Sequence, residues 1–132
     1  MSRRPTRVLG VALPLLAEGA FLQRYAAQGA AWHWYIHLFT GATLALLLMA
    51  FWTRRHHRPV PYPLVWVVLA HIYAAVPDIL IPESIPHQHW QDVFVAHVAS
   101  HYAPGRGATL LVVASLALGG YLLTLDRTRD QS

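Results

Sequence analysis

Long apolar runs, separated by short basic or proline-rich segments, dominate the pattern of this chain. The clearest run, residues 32–52, contains no Asp, Glu, Lys or Arg and carries Trp32 and Trp52 at its ends. Tryptophans in these places are typical of a helix whose ends meet the two membrane interfaces, and about 20 apolar residues suffice to cross the hydrocarbon core. Residues 64–81 and 108–125 form two further apolar runs. The pattern therefore predicts a transmembrane helix in each of these three places.

The first apolar run, residues 8–25, is less regular because Pro14 and Glu18 interrupt it. A run of this kind, preceded by arginines and followed by small residues, is also typical of a cleaved signal peptide. We favour a retained fourth span, because an acidic residue would be out of place in the apolar core of a peptide that is removed. The cleaved alternative stays open at this point.

The connection before the last span predicts a different kind of element. Prolines interrupt the chain between residues 82 and 86, and residues 88–102 then combine apolar positions with several His side chains and one Asp. We predict a short helix here that lies at the membrane interface or dips into the bundle. The predicted fold is accordingly all-α: one polytopic membrane domain, residues 1–132, with four transmembrane helices plus a short interfacial or re-entrant helix on the outer side.

The arginines indicate how these spans are oriented. All ten basic residues are Arg, and in a four-span topology eight of them lie on the side of the two termini, against two on the opposite side. Cytoplasmic segments carry the excess of Arg and Lys in membrane proteins. We therefore expect cytoplasmic N- and C-termini in a bacterial inner (plasma) membrane, with the helix at 88–102 on the outer face.

The composition supports a membrane protein and argues against other classes. Hydrophobic residues make up 55% of the chain and charged residues 12%, whereas a soluble domain carries about 25% charged residues. The net charge of +4 comes from short arginine clusters between apolar runs, so we expect membrane lipid and no nucleic acid as a partner. There is no cysteine, which leaves His, Asp and Glu as the side chains that could hold a metal ion.

The predicted topology brings several of these side chains to one depth near the outer face. His37 lies near the outer end of the second span, Asp78 lies near the outer end of the third, and His97 and His101 belong to the outer connection. The last two are four residues apart and so share one face of a helix. We predict that these four side chains bind a divalent metal ion, with zinc expected first and manganese or iron as alternatives.

Three further titratable residues complete the candidate site. Glu18 on the first span and Asp92 in the outer connection are candidate general bases for catalysis. The structural alternatives are an ion pair with Arg24 for the former and a helix cap for the latter. His71 lies deeper in the third span, where it is a candidate cofactor ligand or, alternatively, a neutral histidine bonded to a neighbouring helix.

Two short motifs resemble those of the bacterial inner-membrane proteins called membrane-bound metal-dependent hydrolases. The stretch 37–41 (His-Leu-Phe-Thr-Gly) is similar to the start of a span in that family, and 76–79 (Val-Pro-Asp-Ile) is similar to its Pro-Asp dipeptide at a span end. His97 and His101 could stand for later ligands. The sequence departs from the family at Leu80, where a second acid is expected. The resemblance implies hydrolysis of a lipid-linked or otherwise membrane-associated substrate.

Three functions are compatible with this sequence. The first is a metal-dependent hydrolase that acts on a membrane-associated substrate, such as a lipid-linked small molecule, through a metal-activated water. The second is a non-catalytic membrane subunit or a component of proton or metal transport, with His and Asp as relay groups; four spans would then require a homo-oligomer. The third is a haem-binding electron carrier with His37 and His71 as axial ligands.

Overall fold

The computed structural model describes residues 3–80, 89, 93–102, 104–105 and 107–130, and the regular structure within them is helical, with no β-strand. Five α-helices follow one another along this part of the chain. They are α1 (Arg3–Ala27), α2 (Ala31–His56), α3 (Pro63–Leu80), α4 (Val95–Tyr102) and α5 (Gly107–Arg129). The all-α fold class that the sequence predicts is confirmed for these residues.

Helices α2, α3 and α5 are long and apolar enough to cross a membrane. They contain the predicted spans 32–52 and 108–125 and most of the predicted span 64–81. Helix α1 contains the remaining predicted span, 8–25, and its 25 residues extend about 37 Å at the helical rise per residue. It is not among the three helices that are both long enough and apolar enough to cross a membrane, and Glu18 interrupts its apolar sequence. The chain therefore has the helices of a membrane protein, while the fourth span stays a prediction.

Helix α4 occupies the C-terminal part of the predicted outer helix 88–102, of which residues 88 and 90–92 lie outside the described residues. It packs against α2 and α3 where α2 begins and α3 ends. Helix α5 begins at the same end of the bundle, since Gly107 lies against the ring of Trp32. We call this end, which also receives the C-terminus of α1, the α4 end.

A proline-rich connection between α2 and α3 forms the opposite end of the bundle. Helix α2 ends at His56, and His57 adopts a left-handed conformation with a φ of 52°, which is a common way to terminate a helix. Pro63 begins α3, where the N–H that proline lacks would have no helical partner anyway. Tyr62 in this connection lies against Gly10 of α1, so α1 extends along the bundle from this end to the α4 end.

One glycine sets how closely α2 and α3 approach each other. A side-chain carbon at Gly41 would lie 2.6 Å from the amide nitrogen of His71 and 2.7 Å from the carbonyl carbon of Ala70, too short for a non-bonded contact. Glycine therefore permits the two backbones to touch. Because the helices are antiparallel, His37, one turn before this glycine, faces the last turns of α3, which carry Asp78.

The apolar core lies between α2 and α5, away from the α4 end. Its buried members are Ala45, Leu46, Met49, Ala117 and Tyr121. The outer surface of α5 is exposed and apolar, as expected for side chains that face lipid. The exposed leucines of α5 include Leu111, Leu116, Leu122 and Leu123. The buried His37 and His97, in contrast, lie at the α4 end, where the candidate site is found.

Candidate metal centre

A short hydrogen bond joins α2 to α3 at the α4 end. The Nε2–H of His37 donates to Oδ2 of Asp78 over 2.6 Å. The histidine side chain is fully buried, and the aspartate side chain is 19% exposed. A carboxylate near the end of an apolar helix is unfavourable unless it has a partner. The imidazole of His37 supplies that partner.

Pro77 alters α3 next to this carboxylate. A proline inside a helix lacks the N–H that would bond the carbonyl four residues earlier, here that of Tyr73. Pro77 is buried within α3, and the carbonyl of Ala74, one turn before Asp78, accepts a hydrogen bond of 3.2 Å from the Nδ1–H of His97. Helix α3 therefore presents a backbone acceptor and a carboxylate side by side to α4.

Further contacts hold α4 against α3 and α2. The hydroxyl of Tyr73 donates a hydrogen bond of 2.7 Å to the carbonyl of Val93, and the ring of Tyr73 lies 5.2 Å from that of Phe94. The ring of His97 stacks on that of His37, with centroids 5.2 Å apart and planes inclined by 11°. Together these contacts fix the second imidazole beside the first.

Residues His37, Asp78 and His97, which we call the His–Asp triad, each offer a ligand atom, and these atoms all lie within 4.8 Å of one another. Two imidazoles and one carboxylate form a donor set that suits zinc and other transition metals. Ligand atoms on a tetrahedral zinc ion are roughly 3.3 Å apart at its usual bond lengths. The 2.6 Å contact between His37 and Asp78 must therefore lengthen slightly to admit an ion. Apart from that adjustment, the triad fits a divalent metal.

The protons of the two imidazoles have consequences for metal binding. His97 donates through Nδ1 to a backbone carbonyl, and the same nitrogen lies 3.7 Å from Oδ1 of Asp78. His37 donates through Nε2 to Asp78, so it must lose that proton before the same nitrogen can bind an ion. We therefore expect metal binding at the triad to release a proton.

Three of the four predicted ligands are thus brought together by α2, α3 and α4. The fourth, His101, lies on α4 one turn after His97, but its side chain is outside the described residues. Asp92, predicted as a general base, also lies outside them. The roles of these two residues stay predictions.

Glu18 and His71 form a second histidine–carboxylate pair, which we call the deep pair. The Nδ1–H of His71 donates to both carboxylate oxygens of Glu18, at 2.8 and 2.9 Å. The side chain of His71 is 1% exposed, and that of Glu18 is 16% exposed. The rings of Phe21 and Trp34 lie 5.5 and 5.9 Å from the imidazole. The structure therefore shows His71 bonded to a neighbouring helix, the structural alternative raised for it above.

The deep pair is separate from the triad. His71 precedes Asp78 by seven positions, which is about 10 Å along a helix. Glu18, predicted as a general base, contacts His71 rather than a member of the triad. The two imidazoles predicted as haem ligands, those of His37 and His71, each have a carboxylate partner of their own.

The deep pair also contains a buried nitrogen without a hydrogen bond. The Nε2 atom of His71 and the indole N–H of Trp34 are both buried, and neither has a hydrogen-bond partner in the part of the chain that the structure describes. Since Nδ1 of His71 carries a proton, Nε2 is an acceptor in the neutral ring. A donor and an acceptor are thus present in the same buried region.

A cavity of about 750 Å³ lies beside the triad at the α4 end. Cavities of about 300–1,000 Å³ are typical of small-molecule sites. The polar side chains of its wall are Arg24, Tyr25, Gln28, His33 and Asp78. Asp78 belongs to both the wall and the triad, so its carboxylate is where the triad meets this cavity.

Tyr25 also lies in the wall of this cavity. The sequence predicted it only as the end of the first span and not as a site residue. It is 6% exposed, and its hydroxyl has no hydrogen-bond partner among the described residues. The signal that could have identified it is a hydroxyl at the same predicted depth as His33 and Asp78. That signal is weak on its own, because tyrosines are common at membrane interfaces.

Comparison of the chain with known protein families, with curated proteins and with solved structures finds no match.

Proposed function

We propose that this chain is a metal-dependent hydrolase embedded in the membrane, with a divalent metal ion bound by the His–Asp triad. The observation that carries the proposal is the convergence of His37, Asp78 and His97, from three different helices, with ligand atoms within 4.8 Å of one another. Zinc best suits two imidazoles and one carboxylate, and manganese or iron are the alternatives.

Three protein ligands leave a coordination position open, as in catalytic zinc sites. An ion in such a site acidifies water and so supplies a nucleophile near neutral pH. Asp78 connects the triad to the cavity, so the substrate reaches the ion from that side. We retain Asp92 as the general base. We also retain His101 as a fourth ligand, because a catalytic zinc ion can become five-coordinate and so keep a position for water.

The substrate in this proposal is membrane-associated, such as a lipid-linked small molecule. We infer that α1 is a fourth span, because it packs along both α2 and α3 and is long enough to cross the hydrocarbon core. The excess of arginine on the side of the termini then puts the α4 end on the outer face of a bacterial inner membrane. The resemblance of the motifs around His37 and Asp78 to membrane-bound metal-dependent hydrolases favours the same activity.

The first test is the metal content of the full chain, purified in detergent without chelators and measured by elemental analysis. We expect about one zinc, manganese or iron ion per chain in the wild type and little metal in His97→Ala and in Asp78→Asn. His56→Ala is the matched control, because His56 ends α2 at the opposite end of the bundle. A thermal melt of each variant checks that the protein is folded.

Two results would contradict the metal centre. One is a folded wild type without metal after purification in metal-supplemented buffer. The other is full metal content in both triad variants, which would place the ion elsewhere. If the metal is confirmed, hydrolysis of membrane-associated esters is assayed with the same set of variants.

The deep pair favours a second candidate, a proton-relay subunit of a homo-oligomer. A carboxylate and an imidazole within a membrane bundle can hold and pass a proton, and the hydrolase proposal does not use the pair formed by Glu18 and His71. Proton flux into vesicles, followed with a pH-sensitive dye, tests this candidate: Glu18→Gln is expected to abolish the flux and to leave metal content unchanged. An absorbance spectrum of the same sample tests for haem.

A further inference from the structure

The wall of the cavity beside the triad includes a residue whose buried hydroxyl is an unused hydrogen-bond donor. The hydroxyl of Tyr25 lies on a side chain that is 6% exposed, in the wall of the cavity, without a hydrogen-bond partner among the described residues. A buried hydroxyl without a partner is unfavourable. We therefore expect a ligand of this cavity to supply an acceptor atom.

The other polar groups of the wall indicate what kind of acceptor fits. Arg24 contributes a permanent positive charge next to Tyr25, and Gln28 and His33 contribute further N–H donors. Asp78 is the one acidic residue among the described residues of the wall, and it is bonded to an imidazole. The wall therefore favours a ligand with negative charge and several oxygen atoms.

We propose that this cavity binds a phosphate ester, whose oxygen atoms accept hydrogen bonds from Tyr25 and Arg24. A phosphoryl group offers more acceptor oxygens than a carboxylate does, and arginine binds phosphate with two parallel hydrogen bonds. Ile79 and Leu80 form an apolar part of the same wall, so we expect an apolar chain next to the phosphate, as in a lipid head group.

This inference deepens the proposed hydrolase and rests on it for the reaction, whereas the binding step requires only the cavity. In the reaction, the oxygen of water bonds to phosphorus, the ester P–O bond breaks, and the departing oxygen takes up the proton that water loses. Asp78 is the one acidic residue among the described residues of the wall. A metal ion bound to Asp78 would neutralise the negative charge that otherwise repels the phosphoryl group.

The experiment is calorimetric titration of the detergent-purified full chain with inorganic phosphate, glycerol 3-phosphate and short-chain phosphatidic acid. Tyr25→Phe removes only the hydroxyl, and we expect about tenfold weaker binding of the phosphate ester. Arg24→Gln removes the charge, and we expect a loss of about tenfold or more. Tyr62→Phe and Arg54→Gln, at the opposite end of the bundle, are the matched controls and leave the affinity unchanged.

The three probes distinguish the source of the phosphate. Tighter binding of phosphatidic acid than of glycerol 3-phosphate identifies a lipid head group, and equal binding identifies a soluble ester. Either result supports the assignment when Tyr25→Phe and Arg24→Gln weaken the binding. Absence of binding by the folded wild type, or binding that neither substitution weakens, overturns it.

The same titrations on protein treated with chelator separate this inference from the metal centre. If the triad binds no metal but phosphate binding still depends on Tyr25 and Arg24, the metal proposal falls and the cavity assignment holds. If the triad binds metal but phosphate binding is insensitive to both substitutions, the cavity assignment falls and the metal centre holds.

Discussion

The His–Asp triad and the deep pair start from the same chemistry, an imidazole that donates to a carboxylate on a neighbouring helix. Their burial is almost identical: the histidines His37 and His71 are 0% and 1% exposed, and the acids Asp78 and Glu18 are 19% and 16% exposed. Burial therefore does not explain why one pair is a candidate metal centre and the other is not.

The difference lies in the third group that each pair meets. At the triad, α4 adds the imidazole of His97, and a cavity gives a ligand access to Asp78. Around the deep pair the neighbouring rings are those of Phe21 and Trp34, which offer no metal ligand. A histidine–carboxylate pair inside a membrane bundle thus becomes a candidate metal site when a neighbouring helix adds a third ligand.

The largest expected effect is a difference in zinc affinity between two matched amide substitutions. Asp78→Asn removes a ligand charge, and we expect a loss of more than about 100-fold, since changes to groups that only orient ligands already reach 10–100-fold. Glu18→Gln makes the same chemical change in the deep pair and leaves zinc affinity nearly unchanged. Competition with a chromophoric chelator measures both, and equal losses would show that the pairs are not distinct.

Stability, unlike zinc affinity, is expected to depend on the deep pair. Glu18→Ala leaves the Nδ1–H of His71 buried without an acceptor, and removal of one partner of a buried pair lowers the free energy of unfolding by about 3 kcal/mol. Glu18→Gln keeps an acceptor and loses less. Equilibrium unfolding in mixed micelles measures the change. Gln23→Ala, at an exposed position of α1, is the control, and a loss of similar size there would contradict the prediction.

Gly41→Ala is the substitution expected to disturb both pairs at once. An added methyl group would meet the backbone of Ala70 and His71, and the overpacking lowers the free energy of unfolding by about 2 kcal/mol. Displacement of α3 also moves Asp78 away from His37, so we expect weaker zinc binding.

Gly119→Ala tests whether this effect comes from the close approach of two helices. A side-chain carbon at Gly119 meets no atom within 4 Å, so alanine there raises stability by up to about 1 kcal/mol through helix propensity. If both glycine substitutions destabilise the protein to the same extent, the contact between α2 and α3 does not account for the effect.

The sequence predicts the triad better than the deep pair for a physical reason. The apolar runs determine which ends of the helices share a depth, and this is enough to bring His37 near Asp78. It does not determine how α1 is rotated about its axis. That rotation depends on packing, such as the contact of Gly10 with Tyr62, so hydropathy alone could not pair Glu18 with His71 rather than with Arg24.

The backbone path near Pro77 could not be predicted from the sequence either. A proline in an apolar run predicts a bend, but not that the carbonyl of Ala74 accepts a hydrogen bond from His97. The spacing of His97 and His101 predicted a helix with two imidazoles on one face. That His97 stacks on His37 depends on how α4 is held, and this is set by tertiary contacts.

The smallest expected effect concerns the hydrogen bond by which α3 holds the start of α4. Tyr73→Phe removes the bond to the carbonyl of Val93, which is 2.7 Å long, and keeps the ring that packs on Phe94. The bond is worth about 1 kcal/mol, so stability falls slightly. Because α4 supplies His97, we also expect zinc affinity to fall by up to about tenfold.

Tyr102→Phe is the control for this substitution, since Tyr102 ends α4 with 82% of its surface exposed. It is expected to change neither the free energy of unfolding nor the zinc affinity. Glu18→Gln with Tyr73→Phe in one chain then tests independence: if the deep pair plays no part at the metal, the double variant has the zinc affinity of Tyr73→Phe alone. A further loss in the double variant would mean that the two pairs communicate through α3.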